Sequence, residues 1–340
     1  MTREEFARLA GEGVILLDGA TGSNLIKAGM PRGISTEQWV LEHPQVLQKL
    51  QRDYVEAGSQ IVYAPTFAAN RSSLKNFGLG DQVKELNRKL MQICREGVGD
   101  TALIAGDLTT TGKMVPQGDL TYDQLIEIYR EQAQSLAEAG ADLLVAETML
   151  NVDETMAILD AASSVCDLPV MCSLTLESDG TALYGGNAVE AVTTLQEMGA
   201  CAVGLNCSVG PDQLEAVVAS MKRVAQVPVI AKPNAGMPVI NDRGEAVYDM
   251  DPVHFATSMK KLIEAGAGAV GGCCGTTPEY IRELLHKRDP YYKRAADLEV
   301  TTDGKSAEQI AEEIKNFLTA VKQCDKVYTR FIFQTDEKEE

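Results

Sequence analysis

The sequence is poor in aromatic side chains, histidine and positive charge. Phe, Tyr and Trp together make up 5% of its 340 residues, and only 3 residues are His. His43, His254 and His286 lie beside no other reactive motif, so no Cys–His nucleophile pair suggests itself. Lys and Arg number 31 against 49 Asp and Glu, a formal net charge of −18, and no basic cluster stands out. That balance disfavours a surface for nucleic acid or an anionic membrane. No segment approaches the ~18 consecutive apolar residues of a membrane span. Residues Met1–Arg8 also lack the apolar core of a signal peptide. The expectation is a cytoplasmic protein with neither a nucleic-acid nor a membrane partner. Glycine, at 29 residues, and cysteine, at 8, are what the chain does have. Four disulfides would suit a short secreted chain, whereas a chain of this length can bury a large core unaided. The thiols are therefore core fillers, metal ligands or nucleophiles.

Short apolar runs alternate with amphipathic segments along most of the chain. The runs are Val14–Leu17, Ile61–Ala64, Ala102–Ala105, Leu143–Ala146, Val170–Leu174, Ala202–Leu205, Val229–Ala231 and Ala267–Gly271. None alternates with polar residues, which is how strands buried on both faces read. Helical patterns fall between them, at Tyr122–Ala139, Glu190–Met198, Asp212–Ala225 and Pro252–Ala265. Eight such strands and their helices predict an α/β fold, a (β/α)8 TIM barrel; a doubly wound open sheet is the alternative. Glu-x-Gly repeats place Gly58, Gly140, Gly199 and Gly266 before strands two, four, six and eight, as left-handed helix caps. Residues 1–290 are expected to form the barrel. Residues 291–340 form a C-terminal extension of unassigned role, with a helix over Ser306–Gln323 and a solvated tail at Asp336–Glu340. The stretch Val327–Phe333 reads equally as a strand, a docking segment or neither.

In a barrel, reactive groups sit just after the strands, at one face. Those positions hold Asp18–Gly22, Pro65–Phe67, Asp107, Glu147–Thr148, Asn206–Ser208, Lys232–Gly236 and Gly272–Thr277. Cys207, Cys273 and Cys274 therefore converge on one rim. Three thiolates from two loops suit a tetrahedral zinc, one per chain, with its fourth position open. The competing readings are a strained vicinal disulfide between Cys273 and Cys274, buried small apolar side chains, or a lone nucleophile. Cys94, Cys166, Cys172, Cys201 and Cys324 read as core or surface residues. A zinc held by three anionic ligands is a poor activator of water, but it can ionise a fourth sulfur that stays nucleophilic. The implied reaction is alkyl transfer to a thiol.

The motifs Asp18-Gly-Ala-Thr-Gly22, Pro65-Thr-Phe67, Glu147-Thr148, Asn206-Cys-Ser-Val-Gly-Pro211, Pro233-Asn-Ala-Gly236 and Gly271-Gly-Cys-Cys-Gly-Thr-Thr-Pro278 together resemble the homocysteine S-methyltransferase family. The resemblance spans roughly residues 10–290 in unbroken order. It is closest to the homocysteine-binding barrel of cobalamin-dependent methionine synthase; the betaine and S-methylmethionine branches are less similar around Cys207. It implies zinc on Cys207, Cys273 and Cys274, and methyl transfer to homocysteine giving methionine. It further implies that N–H groups of Gly19, Ala20 and Thr21 hold the substrate carboxylate, and that Glu147, with Asp18 nearby, meets its ammonium. Thr66, Phe67, Asn206 and Ser208 would also contact or orient substrate. Glu147 and Asn234 are the catalytic candidates, Asn234 filling the open zinc position when substrate is absent. For Glu147 the alternative is a structural role at the N-terminus of a helix over Asn151–Ser164. Lys232 stands where the methionine synthase branch leads one to expect an acidic residue.

No Asp-x-His-x-x-Gly corrinoid motif occurs, and the sequence after residue 290 is too short for a corrinoid module. The expected donor is therefore a separate methyl-corrinoid protein, with S-methylmethionine or betaine as the alternative. A non-catalytic zinc- or thiol-binding subunit is the reading from a different class. A different thiol or selenol acceptor would keep the chemistry and change only the substrate.

Overall fold

Eight parallel strands form one sheet: β1 (Ile15–Leu16), β2 (Ile61–Tyr63), β3 (Leu103–Leu108), β4 (Leu143–Met149), β5 (Val170–Leu174), β6 (Ala202–Asn206), β7 (Val229–Lys232) and β8 (Ala267–Val270). Each pairs with its successor from β2 to β8, β8 pairs with β1, and a Leu17–Ile61 bridge closes the circle. This (β/α)8 barrel comes from a computed structural model that describes residues 1–113, 119–241, 246–295, 298–301, 305–322 and 331–334.

The apolar runs lack alternation because both faces of every strand are covered. Ile15, Leu17, Ile61, Val145, Met171 and Ile230 point inward and fill the barrel. Their neighbours Leu16, Val62, Leu144, Val203 and Val270 point outward beneath the helices. The helix over Tyr122–Glu138 starts at a Thr121/Gln124 capping box, and that over Val152–Ser163 at Asn151, which accepts from Glu154 N–H. Between Asp212 and Ala225 the predicted helix begins as a 3₁₀ turn at Pro211–Gln213 and continues as an α-helix over Glu215–Val224. Gly58, Gly140, Gly199 and Gly266 all have positive φ, between 86° and 113°, so the repeated caps are real.

An N-terminal helix, Arg3–Gly11, was not expected. Its Phe6 packs among the barrel-interior residues, and Arg3 Nη1 donates to Gly199 O just ahead of β6. It therefore plugs the end of the barrel where the strands begin. At the other end of the chain, the helix Pro278–Ala295 runs across residue 290, and a helix follows at Ala307–Lys322. The extension also holds a parallel strand pair, Leu298–Thr301 with Phe331–Gln334, so residues 331–333 of the unassigned stretch are strand. Residues 327–330, Cys324 and the tail at 336–340 lie outside the described residues. Among the described residues no helix is long and apolar enough to cross a membrane.

Candidate functional site

The loops after β6, β7 and β8 are knitted together by backbone hydrogen bonds. Cys207 N–H donates to Lys232 O, Cys273 N–H to Pro233 O at 2.7 Å, and Ala235 N–H to Cys274 O at 2.9 Å. The loop after β7 thus lies between the two cysteine loops and fixes both. The Sγ atoms of Cys207 and Cys274 are 3.6 Å apart, and all three Sγ atoms lie within 4.8 Å of one another. Zn–S bonds near 2.3 Å in a tetrahedron put two sulfurs about 3.8 Å apart. Cys207 and Cys274 have that spacing already, with Cys273 within 4.8 Å of both. All seven cysteines among the described residues are free thiols, Cys273 and Cys274 included.

The backbone at this rim is strained, and the strain is held in place. Cys207 and Thr148, at the ends of β6 and β4, are the two non-glycine residues with positive φ among the described residues, at 55° and 57°. Asn206, fully buried, ties the two ends together. Its Oδ1 accepts from Thr148 N–H and Ser173 Oγ–H, both at 2.9 Å, and its Nδ2 donates to Thr148 Oγ1 at 2.7 Å. The glycines around the pair of cysteines are needed for close packing. A Cβ on Gly272 would come within 2.5 Å of Thr276, and one on Gly275 within 2.5 Å of the Tyr248 ring. Thr276 Oγ1 in turn accepts from Ala20 N–H and donates to Cys273 O, bolting the loop after β1 to the loop after β8.

The donor set fits a soft divalent metal. Cys274 accepts hydrogen bonds from Cys207, Cys273 and Tyr248, which pull its thiol down to about 3. In the loop after β7, Asn234 Nδ2 donates to Ser208 O, while Asn234 Oδ1 and Ser208 Oγ are buried without a partner. The loop that carries this orphaned amide oxygen is the one fastened to both cysteine loops, and an unpartnered buried oxygen there is open to a ligand.

A cavity of about 480 Å³ opens beside the cluster, lined by Gly19–Ser23, Tyr63, Phe67, Asp107, Glu147, Lys232 and the three cysteines among others. Its mouth carries exposed Ile34, Phe67 and Phe77. Its floor is charged and buried. Lys232 Nζ, 2% exposed, lies 3.0 Å from Asp18 Oδ1, 3.2 Å from Glu147 Oε1 and 4.2 Å from the centre of the Tyr63 ring. Burial alone would lower the lysine, but Asp18 and Glu147 raise it above its ordinary value and keep it cationic. Burial pushes the Glu147 carboxyl up to about 7 against the pull of Lys232. Burial and then the Glu147 charge push Asp107 well up.

The sequence-predicted residues fall in several places. Gly19, Ala20, Thr21, Phe67 and Glu147 line the cavity. Asp18 is sealed beneath Lys232, with its Oδ2 accepting from Tyr63 N–H at 2.8 Å. Thr66 is fully buried, and its hydroxyl clamps the backbone of Asp107. Glu147 does not cap the helix that follows; Asn151 does. Tyr248, on a short hairpin (Pro238–Ile240 with Ala246–Tyr248), was missed, as was any role for Asp107. Asp107 could be found only as a residue following a strand, and Tyr248 gave no signal.

Residues 15–287 match the model of a family described as homocysteine S-methyltransferase. The methionine synthases of Mycobacterium tuberculosis and Mycobacterium leprae are 31% and 30% identical over 289 residues. Those matches take in 80% of this chain, which spans only 24% of the relatives' own length. Among solved structures, the metallated form of the homocysteine methyltransferase MmuM from Escherichia coli superposes with a TM-score of 0.70 at 25% identity, over 83% of this chain and 98% of that one.

Proposed function

The chain belongs to the homocysteine S-methyltransferase family, and from that premise we propose that it methylates the thiol of homocysteine to give methionine, with zinc held by Cys207, Cys273 and Cys274 and the methyl group brought by a separate methyl-corrinoid protein. The observation that carries the reading is the three-sulfur cluster opening onto a cavity with a charged floor. When bound, zinc supplies a soft site at which a fourth sulfur ionises at neutral pH and stays nucleophilic. The rest is done by the chain itself. Asn206 and the loop after β7 hold the sulfurs at metal-binding spacing, so little reorganisation accompanies loading. Tyr248 steadies Cys274 by its hydrogen bond. The loop after β1 lines the cavity and is fastened through Thr276, which takes up the Ala20 N–H, so of the expected carboxylate donors Gly19 and Thr21 would remain. Glu147, on the cavity wall, would meet a substrate ammonium. The buried, unpartnered Asn234 Oδ1 would be a candidate to occupy the open metal position when no thiol is bound.

An open cavity edged by Ile34, Phe67 and Phe77 supports a bulky donor approaching from outside. A methyl-transfer assay with homocysteine separates the donors. Turnover with a methyl-corrinoid protein or free methylcobalamin, abolished by EDTA and restored by zinc, is the expected outcome. Full turnover with S-methylmethionine or betaine alone overturns the corrinoid part. Homocysteine binding that never involves the metal overturns the catalytic reading and favours a zinc- or thiol-binding subunit.

A further inference from the structure

The floor of the cavity contains more negative charge than the protein neutralises. Asp18, Asp107 and Glu147 are 1%, 4% and 8% exposed, and among the described residues Lys232 is the only cation lining the cavity. We propose that Lys232 is a resident counter-ion occupying the place between Asp18 and Glu147 where an acceptor's ammonium would otherwise sit, and that Asp107, with the outer oxygen of Glu147, receives that ammonium instead. The inference rests on homocysteine being the acceptor and names the residues that select it.

Asp18 lies behind the cavity wall, and its Oδ1, which accepts no hydrogen bond, faces the lysine and not the cavity. One oxygen pairs with Lys232 Nζ at 3.0 Å, the other accepts from Tyr63 N–H, and the residue does not line the cavity. Lys232 is fixed from three sides, by Asp18, by Glu147 Oε1 and by the Tyr63 ring. Glu147 is engaged through Oε1 alone. Asp107 is the opposite case. Its backbone is gripped, since its N–H donates to Thr66 Oγ1 at 3.0 Å and its carbonyl accepts from Thr66 at 2.9 Å and from Gln132 at 3.3 Å. Its side chain lines the cavity with Oδ1 buried and without a partner.

A buried carboxylate oxygen left unpartnered is costly, and a native structure that tolerates one at a cavity wall leaves room for a ligand to satisfy it. Three acids against one lysine leave the floor short of cations. One substrate ammonium brings the count to three against two. A thiol without an amine would leave Asp107 orphaned, so the floor selects an acceptor that has one. The raised carboxyls of Asp107 and Glu147 agree with a missing second cation.

The test compares two thiols on the zinc-loaded full chain by equilibrium calorimetry: L-homocysteine, and 4-mercaptobutanoate, which keeps the carboxylate and thiol and lacks the amine. Wild type is expected to prefer homocysteine by roughly 10- to 100-fold, the range for a hydrogen-bonded charge in a buried site. Asp107→Asn should bring the two affinities within about threefold of each other by weakening homocysteine. Asp107→Ser should do the same and provides a second neutral replacement if the first folds poorly. An unchanged preference in both variants, or an equal loss for both thiols, overturns the inference. If wild type binds neither thiol, the reading of homocysteine as acceptor has failed before Asp107 is tested.

Discussion

At the floor of the cavity, Lys232 and its partners Asp18 and Glu147 have all given up water, and their mutual attraction offsets that loss only while the set is complete. Lys232→Met removes the cation and keeps the bulk. Asp18 and Glu147 are then buried without compensation, a loss of about 3–5 kcal/mol when both are ionised. The pH dependence has a defined sign. Glu147 stands near 7 beside the lysine, above the ordinary carboxylate range, and moves further up when the lysine is gone. A carboxyl raised in the folded state contributes stability fully below its unfolded value and loses it as pH rises through the folded value. The gap in melting temperature between wild type and Lys232→Met, measured in EDTA, should therefore be narrow near about pH 5 and widest above about pH 7. A gap of constant width would reduce Lys232 to a packing residue.

The loop after β8 shows what one element demands of its glycines. Gly275 has φ +85°, and an added Cβ would lie 2.5 Å from the ring of Tyr248, which bonds Cys274. Gly29 has φ +107° with nothing within 4 Å of an added Cβ. Alanine at either position strains the backbone by about 1–2 kcal/mol, but only Gly275→Ala also displaces Tyr248 and the sulfur it holds. Zinc affinity, read by competition with a coloured chelator, should fall about tenfold or more in Gly275→Ala and stay at the wild-type value in Gly29→Ala. Equal affinities in the two variants would mean that the hairpin yields freely. The same elements mark what sequence could reveal. Runs such as Val170–Leu174 read as doubly buried strands because they are, and Gly140 and Gly266 read as caps because no other residue adopts their φ without strain. Cys207, Cys273 and Cys274 were legible as a cluster because they lie in the loops that follow two barrel strands. Lys232 was visible as a departure from the expected acid, but whether it faces inward depends on strand register, where one residue reverses the face. Tyr248 reaches the site from a hairpin outside the βα repeat, so no periodicity points to it. The N-terminal plug was missed because Arg3–Gly11 is short and polar, with Phe6 its single buried side chain.

Across the whole barrel, the two ends do different work. Phe6 closes the end where strands begin, packed against Ile15, Leu17 and their neighbours, and the cysteines occupy the end where strands finish. Stability and metal binding should therefore come apart under mutation. Phe6→Ala opens a void in the barrel interior and should lower stability by about 3–5 kcal/mol. Its metal end is untouched, so added zinc should still raise its melting temperature, as expected when a ligand binds only the folded state. Cys273→Ser should behave in reverse. It removes one of three sulfurs, so zinc should no longer shift the melting temperature, while stability in EDTA stays within about 1 kcal/mol of wild type. The decisive comparison is the zinc-dependent shift in each variant, measured by thermal unfolding with and without EDTA. If Phe6→Ala abolishes that shift while still folding cooperatively, the two ends are coupled, and the plug belongs to the site rather than to the scaffold.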